Sequence, residues 1–215
     1  MASVDRLLIV TAVPREAEAI GAHAGVMVVT AGVGRTNAAC ATTEALLAHG
    51  PFDAVLSVGV AGTLDPQAVD VGGLVIGRSS IYMEEGLITP EGFSDMRGLG
   101  FPLGDFEGNA VPSAGWSFDA LSSFGVSGEI ATVATCSGTD AHADAVRERT
   151  GAIAEAMEGA AVLHAARRQG VAGLEIRAIS NTTGDRDRQR WDLTCAFDAL
   201  SDGIPQMIET LFAEV

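Results

Sequence analysis

The stretch Arg6–Ala39, RLLIVTAVPREAEAIGAHAGVMVVTAGVGRTNAA, decides the fold class. It opens with a short apolar run, Arg6–Ala12. Pro14 then sits near the first turn of a helical stretch, REAEAIGAHA, where a missing N–H costs least. Val26–Thr30 (VMVVT) reads as a buried strand and ends in a Gly-rich turn, AGVGR. Asn37–His49 reads as the next helix. Apolar strands separated by helices indicate a mainly parallel sheet covered on both faces.

The same alternation continues outward. Ala54–Val60 (AVLSVGV) is a second central strand ending in another Gly-rich turn, AGTL, and Gly73–Gly77 is a third. Glu129–Thr135 reads as a strand, followed by a helix around Ala141–Arg149 and a short segment, AIAEAME. A helix from Gly159 to Gln169, a strand Leu174–Ser180 and a closing helix Ala199–Phe212 complete the chain. Ser79–Pro112 stands apart, with Gly and Pro throughout and no period. A structureless stretch of that length is a lid, a binding loop, an oligomer contact or a tolerated surface insertion. No repeat or linker interrupts the pattern. The expected fold is therefore α/β: one domain over residues 1–215, a three-layer sandwich with a mainly parallel or mixed central sheet and helices on both faces.

Composition narrows the function classes. With 47% hydrophobic and 19% charged residues in 215, the chain can build one sizeable core, which excludes disorder. No apolar run reaches the ~18 residues of a membrane span, so no membrane partner is expected. The start, MASVDRLLIVTAV, has no basic region, long apolar core or cleavage signal, and reads as cytoplasmic. All 13 basic residues are Arg, against 28 acids, a net charge of −15. Such a chain repels polyphosphate, so no nucleic acid partner is expected. Three cysteines (Cys40, Cys136, Cys195) without paired spacing and four scattered histidines point to no disulfide framework and no metal site.

In parallel α/β folds, ligands sit beyond the carboxyl ends of the strands. That rule selects Ala12–Glu16, Ala31–Arg35, Gly59–Leu64, Thr135–Thr139, Ala156–Gly159 and Ser180–Asp187. Glu16 and Glu18 lie in a first helical turn, where acids suit the helix dipole; the alternative reading is a general base that activates water. AGVGR and GVAG are Gly turns that let a ligand approach closely, and neither matches a dinucleotide or phosphate-loop motif. In AMEGAAV, Glu158 is expensive to bury unless paired. One carboxylate can accept both hydrogen bonds of a ribose 2′,3′-diol, although a plain helix N-terminal acid would look the same. Asn181 offers a donor and an acceptor on one edge, matching the N7/O6 edge of a 6-oxopurine. The cluster Asp185 to Arg190 reads as a charged loop.

Taken in order, IVTAVPREAEAI, VTAGVGRTNAA, VLSVGVAGTL, VGGLVIG, SGT, AMEGAAVLHAA and RAISNTTGD resemble the nucleoside phosphorylase/nucleosidase superfamily over most of the chain. The resemblance implies that Glu16 activates water, that Glu158 holds the ribose diol and that Met157 packs against the sugar. It also implies substrate-binding positions at Val60, Ala61, Gly62, Ser137 and Gly138. The methylthioadenosine/adenosylhomocysteine nucleosidases carry Asp where this chain has Asn181. Asn there, within ISNxxGxRDxxxW, is most similar to the futalosine hydrolases, which release hypoxanthine in an alternative route to menaquinone. Val60 replaces a position that often bears a hydroxyl, and Ala156 replaces the first acid of the usual E-M-E. Catalytic roles thus fall to Glu16 and Asn181, with no cofactor and a small nucleoside as substrate. Family resemblance further implies a homodimer or higher homo-oligomer, with Phe93, Phe101 and Phe106 of the irregular stretch as candidate contacts.

Three other readings stay open at this level. Asp185 or Asp187 could supply the missing acid of an adenine nucleosidase. Arg35 could bind the phosphate of a phosphorylase, although Glu16 would repel phosphate at the entry point. A nucleoside-binding protein would keep the fold without needing Glu16.

Overall fold

The computed structural model describes residues 4–213; the first three residues of the start read above as leaderless lie outside them. Strand β1 (Leu7–Thr11), helix α1 (Pro14–Ile20), strand β2 (Val26–Thr30) and helix α2 (Arg35–His49) form the opening unit. β1 pairs in parallel with β2 and with β3 (Ala54–Thr63). Successive side chains of a strand point to opposite faces, and β1 uses both. Leu7 and Ile9 enter a cluster with Ile20 of α1 and with Leu200, Ile204 and Leu211 of the closing helix. Leu8 and Val10 enter a second cluster with Ala45 and Leu46 of α2. Both faces are therefore covered, which is why the run is apolar without alternation.

After β3 come β4 (Leu74–Tyr82), a hairpin of β5 (Gly86–Thr89) and β6 (Gly92–Asp95), β7 (Ala110–Pro112) and α3 (Gly115–Leu121). Then follow β8 (Val126–Thr132), α4 (Asp140–Thr150), β9 (Ala154–Ala156), α5 (Gly159–Arg168), β10 (Ala172–Thr182) and α6 (Leu193–Ala213). The sheet is mixed: β10–β3, β4–β8 and β8–β9 are parallel, whereas β10–β4 and β3–β9 are antiparallel. Those five pairings close a ring, β3–β10–β4–β8–β9, from which β1 and β2 extend as an open wing. Each ring strand adds a side chain to one cluster, including Ala61, Val75, Ile130, Ala154 and Ile179.

Several expectations are corrected. Ser79–Pro112 is not structureless: it holds the end of β4, the β5–β6 hairpin and β7. Strands of three or four residues are too short to show a period, and their glycines hide them. GVAG is not a turn, because β3 runs through it to Thr63. α6 starts at Leu193 rather than Ala199 and contains Pro205. Phe106 is buried in the α2 and α5 cluster, so it is no surface contact, whereas Phe101 is 70% exposed. No helix among the described residues is long and apolar enough to cross a membrane, and no group of three metal-ligating side chains occurs among them.

Candidate active site

A cleft of about 420 Å³ opens at the carboxyl ends of β1, β3 and β10. Glu16, Val60, Ala61, Gly62, Ser137 and Gly138 all line it. So do Met157, Glu158 and Asn181.

Glu16 is the third residue of α1, and its side chain turns back over the helix start. Oε2 accepts the backbone N–H groups of Ala12 (2.8 Å) and Val13 (3.0 Å), and Oε1 accepts that of Val60 (2.9 Å). These donors lie at the helix start and on β3, so the carboxylate is locked between two elements while only 2% exposed. Gly59 makes room for it. A Cβ there would collide with Glu16 Oε1 and come within 2.6 Å of an Arg177 Nη1. The glycine read as a turn former is thus a space holder under the carboxylate.

Glu158 precedes α5 and is also buried. Its Oε1 accepts the N–H of Gly34 (2.9 Å), and its Oε2 faces the Met157 N–H (3.3 Å) and Arg177 Nη2 (3.4 Å). Gly34 has φ +94°, a conformation that favours glycine, which aims that N–H inward. Arg177, on β10, is 1% exposed. It donates from Nε to Glu175 Oε1 (2.8 Å) and from Nη2 to Ser57 Oγ (3.2 Å). Glu175 is fully buried and also accepts from the Ser80 hydroxyl. Burial pushes the Glu175 carboxyl up, opposed by Arg177 and Ser80. Burial would lower Arg177, but Glu175, Glu158 and Glu16 together hold it above its ordinary range. One guanidinium therefore compensates three acids, two of which line the cleft.

Asn181, which also lines the cleft, is the penultimate residue of β10 and follows Ser180. The Ser180 hydroxyl donates to Asn181 Oδ1 (2.9 Å), and Nδ2 donates to the Thr182 carbonyl (3.0 Å). The acceptor end has a partner, and a second amide N–H is left for a ligand. Glu155, on β9, accepts the N–H (2.7 Å) and hydroxyl (2.6 Å) of Ser137. Burial raises its carboxyl, and those two bonds oppose the rise. Burial and the nearby Glu155 and Glu158 also push the Cys136 thiol up, away from a nucleophilic thiolate. Arg186, Gln189 and Trp191 form the lip of the cleft. Gln189 Nε2 donates to the carbonyls of Ser137 and Gly184 (2.8 Å each), and Trp191 Nε1 donates to Gln189 Oε1 (3.0 Å).

Sequence reasoning missed Glu155, Glu175 and Arg177. The signal for the last two was present in LEIRAIS: two opposite charges at period 2 inside a buried run must share a face and pair. Of the alternative acids, neither Asp185 nor Asp187 lines the cleft; Asp185 pairs with Arg188 (2.6 Å) and Asp187 is exposed. Arg35 is engaged by Glu84 (3.2 Å) and Glu85 (2.6 Å), so its charge is already compensated.

Residues 19–202 match the profile of the Phosphorylase superfamily. The futalosine hydrolase of Streptomyces coelicolor is 37% identical over 187 residues, 84% of this chain and 77% of that protein. The chain belongs to the phosphorylase superfamily, in its futalosine hydrolase family. The futalosine hydrolase of Thermus thermophilus is 32% identical over 86% of this chain and 81% of its own. Among solved structures, futalosine hydrolase of Helicobacter pylori aligns with a TM-score of 0.74 at 19% identity, covering 99% of both chains. The methylthioadenosine/adenosylhomocysteine nucleosidase of Colwellia psychrerythraea, in complex with adenine, aligns at 0.75 and 20% identity, covering 98% of this chain and 95% of its own. At such identities these two alignments bear on the fold alone, and they support the mixed α/β architecture.

Proposed function

We propose that this member of the futalosine hydrolase family hydrolyses the N-glycosidic bond of futalosine and releases hypoxanthine, a step of menaquinone biosynthesis. The observation that carries the reading is one cleft lined by two anchored carboxylates, Glu16 and Glu158, together with a neutral Asn181. Glu16 orients and deprotonates water at C1′. Its three backbone bonds fix its position and leave lone pairs for that water. Glu158 accepts from the 2′- and 3′-hydroxyls and stabilises positive charge developing on the ring. Asn181 donates its remaining N–H to the departing base at N7. Compensation of Arg35 by two glutamates favours water over phosphate as nucleophile. The deciding assay measures the base released from futalosine, inosine and methylthioadenosine in phosphate-free buffer. Adenine as the sole product would overturn the reading.

Two variants separate the roles. Glu158→Gln raises KM and lowers kcat together, since the diol contact acts in ground and transition states. A charged hydrogen bond of about 1.5–3 kcal/mol sets the loss in kcat/KM at roughly 10- to 100-fold. A 2′-deoxy substrate should feel the substitution less than its ribo counterpart; equal losses would take Glu158 off the diol. Asn181→Asp removes the N–H and sets an acceptor against N7, costing about 1–3 kcal/mol with hypoxanthine nucleosides. A protonated Asp can donate, so the pH optimum moves downward and weak adenine activity emerges. Profiles of kcat/KM for both bases between about pH 5 and 8 read this out, and unchanged profiles would sink the role.

Chemistry performed on a free nucleoside suits a cytoplasmic enzyme. We also infer a homodimer or higher homo-oligomer. Leu87 and Ile88 on β5 and Phe101 in the loop after β6 are exposed by 48%, 76% and 70%. Full activity of a monomer at nanomolar concentration would remove this inference.

A further inference from the structure

We propose that Glu155 is a specificity residue, which selects 6-oxopurines by accepting the N1–H of the base; this rests on the futalosine reading above. The placement follows from strand register. Gly62 of β3 pairs with Glu155 of β9 on one side and with Asn181 of β10 on the other. Directly paired residues share a face, so both side chains rise on the same side of the sheet, flanking a residue that has no side chain. Their Cα atoms are separated by two strand spacings, about 9–10 Å. A Cβ at Gly62 would come within 2.9 Å of Thr183 Cγ2 and 3.0 Å of Asn181 Nδ2, so glycine lets the Asn181 amide settle over β3, and Gly62, Asn181 and Glu155 line the same cleft.

The two side chains are chemically complementary to one edge of a 6-oxopurine, which presents N7, O6 and N1–H in sequence. Asn181 supplies a donor for N7. Glu155 supplies an acceptor one ring further along. Ser137 occupies one site on each carboxylate oxygen, at 2.7 and 2.6 Å. A carboxylate has about four such sites, so capacity remains toward the cleft. One of the Ser137 groups is a backbone N–H, which can only donate and so suits an acceptor. In a 6-aminopurine, N1 carries a lone pair instead of hydrogen. The same carboxylate then faces a lone pair, and the base is rejected by repulsion as well as by a missing bond.

The test is calorimetric titration of the wild-type protein, Glu155→Gln and Glu155→Ala with hypoxanthine, 1-methylhypoxanthine and adenine. Free bases report recognition without requiring turnover. The wild type should bind hypoxanthine about 10- to 100-fold more tightly than either other base. A glutamine can present either end of its amide, so Glu155→Gln should narrow the preference over adenine to within about threefold. Glu155→Ala should narrow that over 1-methylhypoxanthine. Retention of the wild-type ratios in both variants would overturn the proposal and leave Glu155 as an anchor for Ser137. Equal wild-type affinity for hypoxanthine and 1-methylhypoxanthine would overturn it without any variant. A wild-type preference for adenine would be a different failure, that of the futalosine reading itself, and the inference would fall with it.

Discussion

Glu16→Gln is expected to lower kcat by 10²–10⁴-fold while KM moves little. Loss of a general base typically costs that much, roughly 2.7–5.5 kcal/mol of barrier. The local geometry argues for the upper part of the range. Three backbone N–H groups converge on the carboxylate. An amide oxygen can keep the Ala12 and Val13 bonds, but its NH₂ then points at the Val60 N–H, donor against donor. The substitution therefore removes the base and also loosens its seat. Pre-steady-state measurement separates chemistry from product release. A variant with near-normal kcat would remove Glu16 from the mechanism.

Arg177→Met is expected to cost about 3–5 kcal/mol of stability, because it leaves buried carboxylates without their cation. That is a large share of the 5–15 kcal/mol that typically holds a domain folded. The loss also depends on pH. Burial already raises the Glu175 carboxyl, and Arg177 is the main force opposing it. Without the guanidinium, the native state binds more protons than the unfolded chain above the ordinary carboxylate range. Stability then falls as pH rises, so the variant should be closer to wild type near about pH 5 than near about pH 8. Denaturant midpoints at the two pH values check this. Adding Glu175→Gln to Arg177→Met should recover part of the loss, since removing both partners leaves fewer uncompensated charges. A penalty that is the same at both pH values would show that the acids are not what Arg177 compensates.

The difference between what was legible in the chain and what was not is physical. Leu7–Thr11 is apolar on both faces and Pro14 marks a helix start, so the opening β–α–β unit is local information. Glu16, Glu158 and Asn181 could be found because each stands at the end of a predicted strand or beside a predicted helix. Closure of the five-strand ring could not. It depends on β9, three residues long, meeting β3 in antiparallel fashion across some ninety positions of sequence. No local pattern encodes such a pairing. Glu155 was hidden for the same reason, since its relation to Asn181 exists only through the shared neighbour Gly62. The β5–β6 hairpin was hidden by its glycines, and GVAG was mistaken because its glycines serve clearance, not bending.

Trp191 at the lip has a practical consequence. The chain contains two tryptophans, and the other, Trp116, lies on α3 away from the cleft. Trp191 is 48% exposed, with the Arg186 guanidinium 4.6 Å from its ring centre. A purine entering beside it displaces water from that ring and alters its emission. With Trp116 changed to phenylalanine, the protein would carry one tryptophan, stationed at the lip of the cleft and selectively excited apart from the lone tyrosine. Arrival of nucleoside and departure of base could then be timed by stopped-flow fluorescence on unlabelled protein, separating the release step from the bond-breaking step in a single trace.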